Sequence, residues 1–451
     1  MNQIMLPKLL TRISIKPVML LALLAFYQPD AMAQEVYGLS RCIQTGLEQN
    51  FSLQVVRNQE EISANDHTLG NAGYLPSLSL AGQYGGSVRT LDQNMRSGEN
   101  INTPNILNTY GSAEVELGMT IFRGFQVKNT YQKLGRQSEL EGLNLQMAAE
   151  NLVAQIASEY NYYIQQLILG DNLKYAVSLS RERLRIDEER YLLGGASKLE
   201  LLQSMVYLNA DSSRLAHQQE VLRTSQIRLN ELMSVENLGD DLQLKDSLIQ
   251  INESLSYDEL LEQTLDYNTS LQIASKSQII SELDYKIIRS RSYPYLNMSA
   301  GYGYANNIYE TGDLRLQNTR GLNYGVTLGL NIFDGFNARR EKNNARIGIE
   351  NSMIRYSKIE QEVKAELLTI YYAYENNLRL VRLEEQNLEV AQENLEIALE
   401  RYKLGSLSGL ELREVQKSLL DAEERLISVK YQAKLAEISL LQIAGRIMEY
   451  L

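Results

Sequence analysis

Leu322-Asn323-Tyr324-Gly325-Val326-Thr327-Leu328-Gly329-Leu330-Asn331-Ile332 alternates without a break between apolar side chains and polar or minimal ones. A period of two puts all the apolar side chains on one face of a strand and leaves the other face polar. Three further segments read the same way. Leu78-Ser79-Leu80-Ala81-Gly82-Gln83-Tyr84 opens one. In a second, Ala113, Val115, Leu117, Met119 and Ile121 alternate with Glu114, Glu116, Gly118 and Thr120. In a third, Leu296, Met298, Ala300, Tyr302 and Tyr304 alternate with Asn297, Ser299, Gly301 and Gly303. A soluble sheet on a core would show the same pattern in any one strand. Four such strands of near membrane-spanning length, in an exported chain, fit a barrel wall with lipid outside and water inside. The segments 89–108 and 305–321, rich in Asn, Gly, Asp, Arg and Thr, read as long polar loops within the two hairpins.

Export is read from the start of the chain. Lys8, Arg12 and Lys16 precede the apolar run 18–26, and Ala31-Met32-Ala33 forms a small-x-small cleavage site. Residues 1–33 therefore read as a signal peptide, with no cysteine after the cut to carry a lipid. The single cysteine, Cys42, excludes an intramolecular disulfide framework. His67 and His217 have no ligand-spaced neighbours, so no metal site and no cofactor are expected. The net charge of −12 argues against nucleic-acid binding. No nucleophile constellation or phosphate loop is present, so the chain does not read as an enzyme.

The alternating segments come in two pairs because the chain repeats itself. Ile121-Phe122-Arg123-Gly124-Phe125 returns as Ile332-Phe333-Asp334-Gly335-Phe336, and Glu189-Arg190-Tyr191-Leu192-Leu193-Gly194 as Glu400-Arg401-Tyr402-Lys403-Leu404-Gly405. Both returns lie 211 residues on (121 to 332, 189 to 400). Asn50-Phe51-Ser52-Leu53 also returns as Asn268-Thr269-Ser270-Leu271. Repeat 1 spans 34–250, with a helix over 39–71, strands near 77–88 and 110–122, a long helix over 126–193 and a returning helix over 198–233. Repeat 2 spans 251–451, with a helix over 257–291, strands near 295–304 and 322–333, a long helix over 337–404 and a returning helix over 409–448. Pro76 and Pro294 stop the first helix of each copy.

The proline-free stretches 126–193 and 337–404 are long enough to extend about 100 Å as helices. Their apolar register is a heptad: Leu367, Tyr374, Val381, Leu388, Leu395 and Tyr402 in the second copy, answering Ile156, Tyr163, Gly170, Val177, Leu184 and Tyr191 in the first. The returning helices repeat likewise, at Leu201, Leu208, Leu215, Leu222 and Leu229, and at Leu412, Leu419, Leu426, Ala433 and Leu440. Such a register predicts antiparallel coiled-coil hairpins. Their tips fall at Gly194-Gly195-Ala196-Ser197 and Gly405-Ser406-Leu407-Ser408, glycine ending one helix and serine starting the next.

With these residues in place the chain resembles the TolC family of outer-membrane efflux channels. The resemblance rests on Tyr74-Leu75-Pro76-Ser77-Leu78, on Ile332-Phe333-Asp334-Gly335-Phe336, and on the paired Arg-Tyr-x-x-Gly-x-x-Ser tips at 190–197 and 401–408. It implies a mainly α protein with membrane strands: two tandem repeats, coiled-coil hairpins forming a periplasmic α-barrel, and four strands per chain. Three chains would close a barrel of about 12 strands in the outer membrane. The implied function is the passive outer-membrane channel of a tripartite efflux or export system. The implied partners are two further copies, a periplasmic adaptor, an inner-membrane pump and lipid.

The resemblance also implies a gate at the periplasmic tips. Glu411 and Glu414 match positions where the family forms acidic rings, and Glu200 is the first-copy equivalent of Glu411. They read equally as acids favoured in the first turn of a helix. Tyr402 matches a closing contact and also continues a heptad seam. Leu407 stands where the family often has a basic residue. Gly194, Gly195, Ser197, Gly405 and Ser408 are the expected adaptor contacts. Phe122, Phe125, Phe333 and Phe336 are expected as aromatics at the membrane interface. Asp334 can cap the second long helix, whereas Arg123 at the equivalent place cannot. The competing reading is a periplasmic coiled-coil scaffold or adaptor that never enters the membrane.

Overall fold

The structure, a computed structural model, describes residues 36–451. The leader expected over 1–33 lies outside the described residues. The chain runs β1 (Val36–Tyr37), α1 (Leu39–Gln49), α2 (Phe51–Asp66), α3 (Leu69–Ala72), β2 (Ser77–Asn94), β3 (Asn100–Arg123), α4 (Gln126–Leu192) and α5 (Lys198–Met233). The second copy follows as β4 (Gln243–Leu244), α6 (Tyr257–Tyr267), α7 (Thr269–Ser290), β5 (Tyr295–Ile308), β6 (Leu316–Gly329), α8 (Asn337–Lys403) and α9 (Gly409–Ile443), then a 3-10 turn at Ile447–Tyr450.

The four long strands form one antiparallel sheet in the order β2-β3-β5-β6. Its register turns the alternation into rows. Leu80, Val115, Tyr302 and Leu322 stand side by side on one face, and so do Leu78, Leu117, Ala300 and Tyr324. The opposite face carries Ser79, Glu116, Gly301 and Asn323 in one row and Ala81, Glu114, Gly303 and Gly321 in the next. Among the described residues nothing covers the apolar face: Leu80 is 77% exposed and Tyr324 84%.

The hairpins differ from the sequence reading at both ends. The strands consume most of the expected loops, so β2 reaches Asn94 and β3 begins at Asn100, while β5 and β6 leave only a short connection between Ile308 and Leu316. The polar residues there pair in the ladder, where backbone hydrogen bonds outweigh their low strand propensity. At its other end β6 stops at Gly329 rather than 333, because Gly329 pairs with Tyr295, the first residue of β5.

The first helix of each copy is also not continuous. It breaks at Asn50 in repeat 1 and Asn268 in repeat 2, with nearly the same backbone (φ −60°, ψ 121° and φ −60°, ψ 119°). In each case the Asn side chain accepts from the amide three residues on, Leu53 or Leu271, at 3.1 Å. Its amide group donates to the last turn of a returning helix, to the carbonyl of Leu232 at 3.0 Å or of Ile443 at 2.9 Å. One side chain thus caps a helix start and satisfies a helix end that would otherwise lack a partner. In repeat 1 a further break at His67 leaves α3 separate. The helix expected to reach 448 ends at Ile443, with Gly445 in the left-handed region (φ +71°).

The long helices pack in two ways. Near the sheet they lie side by side in the order α2-α4-α7-α8. Towards the tips the neighbours become α5-α4-α9-α8. The largest core sits between these regions, where Cys42, Ile43, Val153, Ile156, Tyr160, Leu229, Met233 and Ile438 pack together. Burial there pushes the Cys42 thiol up to about 12, so this cysteine is an inert apolar filler. Asp334 does cap α8, accepting from the Ala338 amide at 2.7 Å. Among the described residues no helix is long and apolar enough to cross a membrane.

Candidate functional site: the hairpin tips and the seam above them

Both long helices end in the same turn. Gly194 donates to the Tyr191 carbonyl and Gly195 to that of Arg190; Gly405 donates to Tyr402 and Ser406 to Arg401. Gly194 (φ +76°) and Gly405 (φ +74°) hold the left-handed conformation this ending requires. Ser197 and Ser408 then start the returning helices. Each serine hydroxyl accepts from the amide of the glutamate three residues on, and that glutamate accepts from the serine amide, Glu200 at 2.7 Å and Glu411 at 2.9 Å. This is a capping box, written as Ser-x-x-Glu in both copies.

The serine contacts hold both carboxyls below the usual range, the backbone amide first and the hydroxyl second. A depressed folded-state value means that the caps contribute above the ordinary carboxylate range and are lost as pH falls through the lowered one. Glu414 lies on the same helix as Glu411, and both are exposed. The tips also expose Leu192, Leu193, Leu199, Leu404 and Leu410.

A buried polar seam lies just above the tips, between the first hairpin (α4, α5) and the second (α8, α9). The Tyr402 hydroxyl donates to Asp187, which also accepts from Ser204. The Tyr402 ring meanwhile packs with Leu395, Ala398, Leu412 and Leu419, so it serves the heptad and the link together. Burial, and then the neighbouring Asp187 carboxylate, pushes its hydroxyl up to about 12. Further along, Arg413 of α9 makes a two-pronged contact with Asp211 of α5 at 2.7 and 2.8 Å. Asp211 is fully buried and also accepts from Ser180. That pairing raises the Arg413 guanidinium above its ordinary value against the opposing effect of burial.

Asp187, Asp211 and Arg413 were not singled out from the sequence. The available signal was a mismatch between the copies: Asp187 and Asp211 correspond to Ala398 and Ala422 at the same 211-residue displacement (187 to 398, 211 to 422).

The four phenylalanines lie at the two strand-to-helix junctions. Phe122–Phe125 and Phe333–Phe336 make matching edge-to-face pairs, each with ring centroids 5.3 Å apart. Phe125 and Phe336 start the long helices from positive φ (67° and 64°), a conformation uncommon outside glycine. The repeated Gly-Phe step thus makes the sharp turn from sheet to helix as well as presenting aromatics at that level. Among the described residues no group of His, Cys, Asp and Glu is placed to hold a metal ion.

Comparison with known proteins agrees with this geometry. Residues 260–446 match the family described as Outer membrane efflux protein. Nodulation protein T of Rhizobium leguminosarum bv. trifolii is 21% identical over 391 residues, covering 84% of this chain and 79% of its own. The pyoverdine export outer membrane protein OpmQ of Pseudomonas aeruginosa is 24% identical over 300 residues, 63% of this chain and 60% of its own. The solved structure of the Campylobacter jejuni CmeC outer membrane channel shares the fold, with a TM-score of 0.73 at 17% identity over 90% of this chain and 85% of that one. The second repeat thus matches the outer-membrane efflux family, and the fold of its channels extends through most of the described chain. The chain is similar to outer-membrane efflux proteins of the TolC type, and it reads as an outer-membrane component of an efflux system with its helical part in the periplasm. Proteins of this family are channels rather than enzymes.

Proposed function

We propose that three copies of this chain form a passive conduit, gated at its periplasmic tips, which meets an adaptor there and through it an inner-membrane pump. The observation that carries this reading is the match of open edges. The sheet ends in β2 on one side and β6 on the other, and the helices beneath end in α2 and α8 on the corresponding sides. A four-stranded sheet with two free edges cannot stand in lipid, since its unpaired backbone groups would find no water. Pairing β6 with β2 of the next copy removes every edge at once and carries α8 towards the next α2. Three copies make about 12 strands, an even number as membrane barrels favour.

The helices supply the matching surface. Besides its buried heptad, α8 presents Leu383, Val390 and Ile397, with Leu404 at its C-cap, seven residues apart and exposed in the single chain. The facing edge helix, α5 of the next copy, offers Leu199, Leu202 and Val206, also exposed. A periplasmic scaffold would have to cover the apolar sheet face in some other way. Release of the protein from purified outer membranes by salt or alkali, without detergent, would favour the scaffold.

Around a threefold axis Glu411 and Glu414 would form stacked rings of negative charge, which favour cations. The double substitution Glu411→Gln with Glu414→Gln is expected to lower cation preference in planar bilayers. The glutamine at 411 retains a side chain able to complete the capping box. Selectivity equal to the parent channel would remove the ring. At the tips, bulky or charged replacements at Gly194 and Gly405 are expected to weaken adaptor docking while leaving insertion intact. Each non-glycine residue held at positive φ costs about 1–2 kcal/mol, confined to a turn with open space around Gly194. Co-purification with the adaptor, set against trimer yield, measures the two separately.

A further inference from the structure

The first ten residues of α8, 337–346, carry Arg339, Arg340, Lys342 and Arg346 against one acid, Glu341. That is a local charge of +3 (4 − 1) in a chain of net charge −12. The first copy does not share it. At the 211-residue displacement stand Lys128, Asn129, Tyr131 and Gly135, so packing common to both long helices does not call for these cations. Glu341 is taken up by Arg291 at 2.9 Å and by Arg340 at 3.8 Å. Arg339 and Lys342 make no ion pair among the described residues, and the Arg346 guanidinium lies 5.8 Å from the centre of the Tyr285 ring.

Arg339, Lys342 and Arg346 are three and four residues apart, which sets them on one side of the helix. There they line a recess of about 520 Å³ together with Ile332, Phe333 and Phe336. Asp334 is the acid among the lining residues, and its carboxylate is held by the Ala338 amide. Ile332 is 91% exposed and keeps the even-numbered register of the apolar sheet face, which runs from Leu322 to Leu330. The recess is thus continuous with that face, at the level where sheet gives way to helix. The next copy would leave it open. In the first copy α7 meets α4 on the side of Lys133 and Glu139. Tyr131 and Gly135, the equivalents of Lys342 and Arg346, instead face His67 of their own repeat. By the same displacement the next chain approaches α8 on the side of Asn344 and Glu350.

We propose that this recess binds the anionic headgroup of a glycerophospholipid from the periplasmic leaflet of the outer membrane. The inference rests on the reading of the sheet as a membrane wall. Guanidinium groups match phosphate oxygens with paired hydrogen bonds, and the Lys342 ammonium adds a mobile point charge. Aromatic rings settle at headgroup depth, where Phe333 and Phe336 flank the cations. The acyl chains then follow the apolar row that Ile332 continues. A free phosphate ion would use the same cations but would gain nothing from this apolar wall. Each basic residue beside an anionic lipid surface contributes roughly fivefold in affinity.

The test uses the full-length protein purified in detergent, with bound lipid counted by native mass spectrometry. The probes are dioctanoyl phosphatidylglycerol and its zwitterionic phosphatidylcholine counterpart. The parent is expected to prefer the anionic lipid. Arg339→Gln with Lys342→Gln is expected to weaken phosphatidylglycerol binding by about twenty-fivefold, two cations being lost. Arg355→Gln with Lys358→Gln removes the same charge about 24 Å further along α8 and is expected to leave binding at the parent level. Equal binding of the two lipids by the parent, or equal loss in the two double variants, overturns the site. Displacement of the lipid by inorganic phosphate at matching concentration would mark a free-anion site and overturn the lipid. Should the first double variant fail to assemble, Arg339→Gln alone carries the test. About a fivefold loss is then expected, and parent-like affinity overturns the site. Release of the parent protein from outer membranes without detergent would instead overturn the membrane reading.

Discussion

Leu322→Arg is expected to abolish assembly in the outer membrane, whereas Asn323→Arg, one residue on, is expected to be tolerated. Leu322 lies near the middle of β6 in the apolar row with Leu80, Val115 and Tyr302. It is 66% exposed because none of the described residues covers that face. An arginine on the lipid side of a barrel near the bilayer midplane costs about 2–4 kcal/mol. Threefold assembly repeats that cost in each copy, for a total of roughly 6–12 kcal/mol, comparable to the whole stability of a typical domain. Asn323 pairs with Gly301 on the opposite face, in the row that carries Glu116. An arginine there would face water and an acidic neighbour. The readout is the amount of protein recovered from outer membranes by detergent. Equal recovery of both variants would mean that the two faces are not distinguished by lipid, and the barrel would be lost with them.

Val390→Asp combined with Ile397→Asp is expected to convert the trimer into monomers. Both side chains are largely exposed on α8 in the isolated chain, so the fold of the monomer does not depend on them. Burying a valine or isoleucine fully is worth about 1.5–3 kcal/mol. Replacing that gain with a desolvated carboxylate adds a further penalty, and each pair recurs at three interfaces. Molar mass in detergent measures the result. Helix content should remain at the parent level, because the buried heptad of α8 (Leu367, Tyr374, Val381, Leu395 and Tyr402) is untouched. A trimeric mass for this variant would place the contact between copies elsewhere.

The elements most visible in the sequence were those fixed by local periodicity. The heptads that mark α4, α5, α8 and α9, the alternation of β3, β5 and β6, and the Ser-x-x-Glu starts all involve residues no more than about two helical turns apart in sequence. The elements that escaped reading depend on partners far along the chain. Asn50 looks like an ordinary polar residue within a helix until its side chain is seen on the Leu232 carbonyl, 182 residues away. The hairpin segments 89–108 and 305–321 read as loops from composition, because ladder pairing across a hairpin does not require strand-forming side chains.

The seam above the tips shows the same division. Tyr402 could be placed by its heptad and by its family position, but its acceptor Asp187 lies 215 residues earlier. The pair Asp211–Arg413 spans 202 residues. No spacing rule connects such residues, since the packing of α9 against the first hairpin is what brings them together.

By itself the sequence determined the repeat, the faces of the strands, the registers of the long helices and the form of the tips, all through short-range geometry that each copy obeys alone. Only the tertiary structure decided how the two copies differ. Both returning helices carry an apolar residue every seven positions, yet Leu412, Leu419, Leu426, Ala433 and Leu440 of α9 are all buried, whereas in α5 Leu229 is buried and Leu201, Leu208, Leu215 and Leu222 remain partly open. The reason is position. α9 lies between α8 and α4, and α5 lies at an edge with a long helix on one side only. Equivalent sequences therefore meet different surroundings, a closed core in one copy and a face left for the next chain in the other.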